Sequence, residues 1–252
     1  MQTFKTASNH DEVLVSIDVE SVAIGFTHAT DDRYPVTVSV VNDECQVVYE
    51  GMIKPNVTVV SYLTLLTGLK QGDLDRGEAL EEVLQKVHAL LSPNVVLVGQ
   101  SPKSDVKWLQ LKQGVHYKRV IDLSEMFKIY NPKYRTTNYF SLAHEADVLL
   151  GIDLNSSTGH NATQDAKTSM QLYQKYKNNE NDLKLARLHL LANRPRPTPA
   201  KVYNYRASEF NHYITLQGCS VPGSGTENRG SGTETTVPVL ELEPKRKEPR
   251  FR

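Results

Sequence analysis

The order of strand-like and helix-like segments restricts the fold of this chain more than any other sequence feature. The strand-like segments are apolar or rich in β-branched residues, and they lie at 13–18, 36–41, 46–49, 95–98 and 119–122. The second and third are separated only by Asn42–Cys45, which is typical of a hairpin. Strands that first follow one another and then alternate with helices predict an α/β fold, with a mixed five-stranded sheet flanked by helices.

Helical spacing of apolar residues predicts the helices that cover this sheet. Between 77 and 91 the apolar side chains recur every three or four residues, which places them on one face of a helix. Further helices are predicted from Val106 onward and at 123–130, 141–150 and 162–177. Asp122 is interpreted as the cap of the helix that follows it, and Trp108 as a core residue.

The end of the chain differs in composition from the rest. Hydrophobic residues make up 39% of the 252 residues, which is enough for one core but not for a chain folded along its whole length. Arg194–Pro199 is typical of a polyproline-like linker, and Val221–Gly232 is rich in Gly, Ser and Thr. We therefore expect one domain at 10–190 and a largely disordered C-terminal tail at 191–252. The basic run 244–250 could be a nuclear import signal or a phosphate-binding arm, but short basic runs often match by accident, so nuclear and cytoplasmic locations both stay open.

Charge and cysteine content exclude several classes of protein. The 29 basic residues balance the 29 acidic ones, so net charge offers no argument for nucleic-acid binding and a basic surface would have to be local. Two cysteines are too few for a disulfide framework or a cysteine-type zinc site. No apolar run approaches the roughly 20 residues of a membrane span, and Met1–Asp11 is unlike a secretory signal. These features predict a soluble intracellular protein that does not bind membranes.

Acidic residues stand where two of the predicted strands end. Asp18 and Glu20 are two residues apart at the end of the first strand, so both side chains point to the same face. Asp105 follows the strand at 95–98 after a turn, at the start of a helix, where the helix dipole also stabilises an acid. Because strand ends of an α/β sheet converge on one edge, Asp105 can face the first pair.

The segment Gly159–Ala166 is the most specific one in the chain. His160 lies in a loop, five residues before Asp165, which lies at the start of the last predicted helix. A histidine in such a loop can sit over a metal site that the carboxylate helps to build. An Asp-x-Glu pair, a later Asp after a strand and a His-x4-Asp on a late helix, in this order, indicate a functional site.

Residues 12–177 resemble the DEDDh 3′–5′ exonucleases, which have the ribonuclease H-like fold. The segments that carry the resemblance run in order, and they are Val15–Glu20, Val36–Lys54, Ser61–Leu69, Val98–Lys107, Ile121–Asp122, Ser141–Leu142 and Gly159–Tyr173. Within this family the chain is most similar to the branch of the RNA exonuclease 4 and interferon-stimulated exonucleases.

The resemblance implies a metal-dependent exonuclease that releases nucleoside 5′-monophosphates from the 3′ end of single-stranded RNA. It implies two Mg²⁺ or Mn²⁺ ions, which prefer oxygen ligands. The implied ligands are Asp18, Glu20, Asp105 and Asp165, with Asp18 shared by both ions. His160 is the implied general base, and its ordinary pKa near 6.5 suits that role at neutral pH.

Several positions depart from the pattern of that branch. They are Val19 and Ser21 beside Glu20 in place of cysteine and methionine, Gln100 in place of histidine, Ser104 in place of asparagine, and Leu65, near which the branch often has a basic residue. None of the departures falls on the four acids or on His160.

Ser21, Val22 and Leu65 are the predicted substrate contacts, by position, because side chains after Glu20 and around 62–68 could stack on the last bases. Two alternatives to the RNA exonuclease stay open. One is an exonuclease that acts on DNA or on both nucleic acids. The other is a catalytically silent nucleic-acid-binding module on the same fold.

Overall fold

A five-stranded sheet forms the centre of the part of the chain that the computed structural model describes, residues 12–154 and 160–195. Its strands are β1 (Val13–Ala23), β2 (Arg33–Asn42), β3 (Val47–Met52), β4 (Val95–Gly99) and β5 (Arg119–Asp122). The order across the sheet is β3-β2-β1-β4-β5. The pairs β1–β2 and β2–β3 are antiparallel, and β1–β4 and β4–β5 are parallel. The predicted mixed sheet of five strands is therefore confirmed.

Helices pack on both faces of this sheet. They are α1 (Thr64–Thr67), α2 (Leu80–Leu90), α3 (Lys103–Trp108), α4 (Leu123–Phe127), α5 (Leu142–Leu150), α6 (Ala162–Tyr176) and α7 (Glu180–Ala192). A separate hairpin consists of β6 (Ile129–Asn131) and β7 (Thr136–Asn138). A short 3₁₀ helix spans Thr30–Asp32, between β1 and β2.

The alternation of side chains along β1 separates an apolar face from a polar one. Val15, Ile17 and Val19 are buried in a core cluster that includes Val83 and Val87 of α2. The residues between them point to the opposite face, where α6 packs on β1 and β2. A second core cluster fills that side between β4 and the helices α5, α6 and α7. The apolar half of β1 thus anchors the strand, and its polar half faces α6.

Side-chain caps fix where four of the helices begin. The capping residues accept hydrogen bonds from backbone amides of the first turn, and they are Asp122 for α4, Ser141 for α5, Asn161 for α6 and Asn179 for α7. Caps of this kind stabilise a helix by about 1 kcal/mol each. The interpretation of Asp122 as a cap is confirmed.

The first strand is longer than its apolar run predicts. It continues past Asp18 as far as Ala23, because β2 stays paired with it up to Ala23↔Arg33. Asp18 and Glu20 therefore lie inside the strand and not at its end. A long neighbouring strand outweighs the loss of apolar character in the second half of β1.

Other boundaries also differ from the prediction. α3 begins at Lys103 and not near Val106, and α4 ends at Phe127 because the following residues pair as β6. α7 was not predicted, although it buries Leu183, Ala186 and Leu190 at helical spacing. Polar residues surround these three in the sequence and obscure the pattern.

Several predictions concern residues outside the described ones. The predicted tail lies beyond them from residue 196 onward, and so does the basic run 244–250. All described residues belong to one of the two units into which the chain divides, and the other unit, Ser220–Arg252, contains none of them. The domain boundaries at 10 and 190 stay a prediction. Within residues 12–154 and 160–195, no helix combines the length and the apolar character that crossing a membrane requires.

Candidate active site

Asp18 and Glu20 lie on β1 just past the point where its pairing with β4 stops. The parallel register ends at Ser16↔Val98, whereas β2 continues on the other side of β1 past both acids. Both acidic side chains are half-buried. This stretch of β1 is therefore free of β4, which leaves room for α3 to approach it.

α3 brings Asp105 against this stretch of β1. Asp105 lies in the first turn of the helix, and the backbone amide of Val19, between the two acids of β1, is close enough to its carboxylate to lower its pKa. Asp105 therefore lies beside this part of the strand. Asp105 is thus near Asp18 and Glu20, as the sequence predicts.

Side chains around the 3₁₀ helix hold α3 in place. The hydroxyls of Thr30 and Ser104 lie 3.2 Å apart, and Trp108 Nε1 donates to the Thr30 carbonyl at 3.3 Å. Lys107 Nζ forms an ion pair with Asp31 Oδ1 at 2.6 Å. Ser104, Lys107 and Trp108 therefore all contact the loop between β1 and β2. These contacts lie before and after Asp105 in α3, so they hold its position.

α6 supplies Asp165, and the residue before its cap supplies His160. Asn161 caps the helix, so His160 immediately precedes it and Asp165 lies in its first turn. The backbone amide of His160 donates to the carbonyl of Leu66 in α1 at 2.5 Å. His160 Nδ1 lies 3.2 Å from Asp165 Oδ2, and the His160 side chain keeps 31% of its surface exposed.

All five predicted residues meet at this place. Glu20, His160 and Asp165 each offer one possible ligand atom, and these atoms lie within 4.8 Å of one another. Burial raises the pKa of Asp18 well above its ordinary value, and the negative charges of Asp105, Glu20 and Asp165 raise it further. Asp18 is therefore close enough to the other three acids for the charge of each to act on it.

The acids of this cluster are costly to ionise together. Burial raises the pKa of Glu20 from 4.5 to about 7; the charges of Asp165 and Asp105 also raise it, and His160 opposes the shift. Burial likewise raises the pKa of Asp105 from 3.8 to about 7, against the backbone amides of Asp105 and Val19. The pKa of His160 is raised, above all by its hydrogen bond to Asp165. The cluster favours a positive charge in its centre.

The donor set fits a divalent cation with a preference for oxygen. Each of the negative charges that act on Asp18, those of Asp105, Glu20 and Asp165, raises its pKa, so the acids repel one another when they are ionised. A cation such as Mg²⁺ or Mn²⁺ prefers carboxylate oxygens and would remove this repulsion. Glu20, Asp165 and His160 also satisfy the distance requirement for a shared ion.

The three predicted substrate contacts differ in their exposure to solvent. Leu65 is 40% exposed on α1, beside the residue whose carbonyl binds His160, and Ser21 is half-buried on β1. The side-chain contact predicted for Val22 is wrong, because Val22 has no exposed surface. A register shift after Glu20 pairs Val22 with Tyr34, and both side chains belong to the apolar core.

Two supports of the site were not predicted. One is the carbonyl of Leu66, which holds the backbone of His160, and the other is the loop around Thr30 that holds α3. The first is a backbone contact that no side-chain pattern reveals. The second depends on Trp108, whose indole is partly buried against the core while its N–H reaches Thr30.

Comparisons with known proteins show a family and several relatives that the chain resembles. A family model described as Exonuclease (RNase_T) matches residues 15–173. Small RNA degrading nuclease 2 of Arabidopsis thaliana is 32% identical over 142 residues, which are 54% of this chain and 30% of that protein. RNA exonuclease 4 of Mus musculus is 30% identical over 159 residues, which are 63% of this chain and 35% of that protein. The chain thus spans about a third of the length of these relatives.

The fold is also found among solved structures. The Pan2 catalytic unit of Neurospora crassa (protease and nuclease domain) has a TM-score of 0.59 and 21% identity, over 76% of this chain and 31% of that one. This likeness confirms the ribonuclease H-like exonuclease fold. The family match covers more than half of the chain and includes Asp18, Glu20, Asp105, His160 and Asp165. The chain therefore belongs to the DEDD exonuclease family.

Proposed function

We propose that the protein is a metal-dependent 3′–5′ exonuclease that hydrolyses single-stranded RNA and releases nucleoside 5′-monophosphates. The observation that carries the proposal is the meeting of four carboxylates and one histidine from β1, α3 and α6 in a partly exposed site. These acids raise one another's pKa values, so they do not stabilise the fold at neutral pH, and a purely structural role does not explain the cluster. Family membership and the names of the two relatives support nuclease chemistry on RNA.

The acids are the proposed metal ligands. Asp18, Glu20, Asp105 and Asp165 would hold two Mg²⁺ or Mn²⁺ ions, which activate a water and neutralise charge on the phosphoryl oxygens. Asp18 is the proposed ligand shared by both ions, and the charges of the other three acids act on it. The contacts of α3 with the loop around Thr30 hold Asp105 beside β1 before substrate arrives.

His160 is the proposed general base. An ionised carboxylate only accepts hydrogen bonds, so Nδ1 carries the hydrogen in the contact with Asp165 and Nε2 carries the lone pair. Nε2 then takes the proton from the attacking water. The charges of Asp165 and Glu20 stabilise the imidazolium that forms, which is the same effect that raises the pKa of His160.

The 3′ end of the strand is proposed to enter between β1 and α1. Leu65 is exposed on α1, and the adjacent Leu66 contacts His160 directly. A terminal nucleotide at the metal ions would therefore lie against Leu65 on one side and Ser21 on the other. Leu65 and Ser21 both lie close to the proposed metal ions, so they would contact the terminal nucleotide of a chain end better than an internal segment of RNA.

A DNA-directed or sugar-indifferent exonuclease is the second candidate. The observation in its favour is that Leu65, at the edge of the site, offers no polar atom to a ribose 2′-hydroxyl. Two RNA oligomers that differ only in one terminal 2′-deoxy residue separate the candidates. Equal rates favour the second, and a slower rate on the deoxy end favours RNA.

Degradation of end-labelled RNA tests the proposed function. With Mg²⁺ or Mn²⁺, RNA labelled in its 3′-terminal nucleotide should release the label first as a 5′-monophosphate, and EDTA should stop the reaction. Asp18→Asn and Asp165→Asn should each lower the rate by more than about 100-fold. Asp43→Asn, an exposed acid in the β2–β3 turn, is the matched control and should keep full activity. A wild-type protein that binds RNA without hydrolysing it would instead be a silent module.

A further inference from the structure

The β6–β7 hairpin carries an unusual group of exposed tyrosines. Tyr130, Tyr134 and Tyr139 are 59%, 67% and 54% exposed. Tyr130 alternates with the half-buried Ile129 and the buried Asn131, so its ring points away from the domain. Because three large aromatic side chains within ten residues are exposed, this segment, Lys128–Tyr139, is a candidate binding surface, here named the aromatic hairpin.

Cations accompany these rings. Lys133 Nζ lies 5.1 Å from the ring centroid of Tyr134, and Lys128 Nζ lies 5.8 Å from that of Tyr139. Lys128 is paired with Glu125, but within the described residues neither Lys133 nor Arg135 forms an ion pair with a carboxylate. Both are exposed. The tip of the aromatic hairpin therefore has two uncompensated positive charges between its aromatic rings.

The aromatic hairpin lies at the catalytic edge of the sheet. β4 and β5 run parallel and end together at Gly99↔Asp122, so the segments that follow them emerge at the same edge. One of these segments leads to Asp105, and the other leads through α4 to the aromatic hairpin. Gln100 Nε2 donates to the carbonyl of Phe140 at 2.8 Å, which ties the two segments together.

We propose that the aromatic hairpin binds the nucleotides upstream of the 3′ end of a single-stranded RNA. The bases would stack on Tyr130, Tyr134 and Tyr139, and Lys133 and Arg135 would contact phosphates. Stacking does not depend on base identity, so this surface would hold the strand in any sequence as the terminal nucleotide is removed. The proposal rests on the proposed function, because it takes the RNA strand as the substrate. Charge complementarity favours a polyanion over a protein partner.

Substrate length tests this proposal in the full-length protein. A dinucleotide occupies only the catalytic site, whereas an oligomer of about 12 nucleotides extends onto the aromatic hairpin. In the triple variant Tyr130→Ala/Tyr134→Ala/Tyr139→Ala we expect kcat/KM for the longer oligomer to fall by about 10-fold or more, through KM. Hydrolysis of the dinucleotide should stay unchanged. The triple Tyr→Phe variant keeps the rings and should restore wild-type values.

Two further variants test the positive charges of the aromatic hairpin and the location of the binding surface. Lys133→Ala/Arg135→Ala should weaken binding of the longer oligomer and reduce the slope of log K against log salt by about 1.4, for two phosphates. Lys112→Ala/Val115→Ala alters an exposed loop before β5, at the opposite edge of the sheet, and should change neither value. Wild-type kcat/KM of the triple Ala variant on the longer oligomer would overturn the proposal. So would an equal loss on both substrates.

Failure of the proposed function would give a different result. If the wild type hydrolyses neither substrate, the catalytic proposal fails, and fluorescence anisotropy of the labelled oligomer in EDTA decides about the aromatic hairpin alone. The triple Ala variant should then bind at least about 10-fold more weakly than the wild type and the Tyr→Phe variant. Equal binding of the oligomer by all three proteins would overturn the proposal. This result is also expected if the aromatic hairpin binds a protein and not RNA.

Discussion

Asp165 Oδ2 and His160 Nδ1 lie 3.2 Å apart, so the acid in the first turn of α6 also orients the ring that precedes the helix. The backbone of His160 is held at the same time by the carbonyl of Leu66. The imidazole is therefore fixed at one ring nitrogen and at the main chain, and its other nitrogen is left to accept a proton. This arrangement suits a base better than a surface histidine.

Removal of the ring should abolish most of the turnover without loss of the fold. His160→Ala is expected to lower kcat by about 100- to 10,000-fold, the usual contribution of a general base. His160→Gln fills the space and should be equally impaired, because an amide does not accept the proton. Steady-state kinetics on labelled RNA gives the result, and His189→Ala on exposed α7 surface is the control. Activity within a few-fold of wild type in His160→Gln would show that another group takes the proton.

The metal-free protein should lose stability as the pH rises toward neutral. The pKa values of Glu20 and Asp105 rise from 4.5 and 3.8 in the unfolded chain to about 7 in the folded one. The folded state therefore binds more protons between about pH 4 and pH 7, and its stability falls across this window as pH increases. In EDTA, Tm should be lower near pH 7.5 than near pH 5.

Divalent metal should reverse this trend. Mg²⁺ or Mn²⁺ is expected to raise Tm near pH 7.5 and to have little effect near pH 5, where Glu20 and Asp105 are protonated. Asp18→Asn should flatten the dependence on both pH and metal. A metal-induced rise in Tm that is equal at both pH values, or that persists in Asp18→Asn, would place the metal elsewhere.

Glu145 is a buried acid that the catalytic proposal does not use. Burial raises its pKa from 4.5 to about 9, and the nearby side chain of Gln100 opposes this shift. Both Glu145 oxygens and Gln100 Oε1 lack a donor, and a protonated Glu145 would provide one. Glu145→Gln should therefore raise the free energy of unfolding near pH 7, on the order of 2–3 kcal/mol.

The sign of this effect follows from the raised pKa. The wild type loses stability as the pH increases from about 4.5 to about 9, because the folded state retains a proton that the unfolded chain releases. The Gln variant has no such proton, so its advantage should grow with pH. Urea unfolding at several pH values measures the difference, and Glu44→Gln in the exposed β2–β3 turn is the control. An advantage that does not depend on pH would mean that Glu145 is ionised in the folded protein.

Asp122 and Asp18 should respond in opposite ways to loss of the carboxylate. Asp122 caps α4 and also accepts from the amide of Ser101, so Asp122→Ala should lower the free energy of unfolding by about 1–2 kcal/mol. Asp122→Asn keeps an accepting oxygen and should retain both stability and activity. Asp18→Asn should retain or gain stability in EDTA and lose activity. Loss of turnover in folded Asp122→Asn would make Asp122 part of the catalytic site.

Most of the sheet and the acidic cluster could be predicted from local pattern. Short apolar strands and a shared edge placed Asp18, Glu20 and Asp105 together, and His160 with Asp165 followed from one conspicuous segment. The local sequence patterns gave wrong predictions where pairing with a neighbouring strand determines the structure. β1 extends to Ala23 because β2 pairs with it, and Val22 turns into the core because the register shifts after Glu20.

The aromatic hairpin was missed for a related reason. Its strands have three residues each, and their polar composition gives no periodic signal that would distinguish them from a loop. α7 was missed because its three buried residues are diluted by charged ones. Short or diluted elements depend on packing against the rest of the domain, and their sequences alone do not specify them.

Titration of Mn²⁺ into the metal-free protein by calorimetry tests the central claim most directly. The claim predicts two Mn²⁺ ions per chain at neutral pH in the presence of a nucleoside 5′-monophosphate. Asp18→Asn should lose this binding, and Asp43→Asn should keep it. Mn²⁺ binding that is unchanged in Asp18→Asn, or absent from the wild type, would contradict the account.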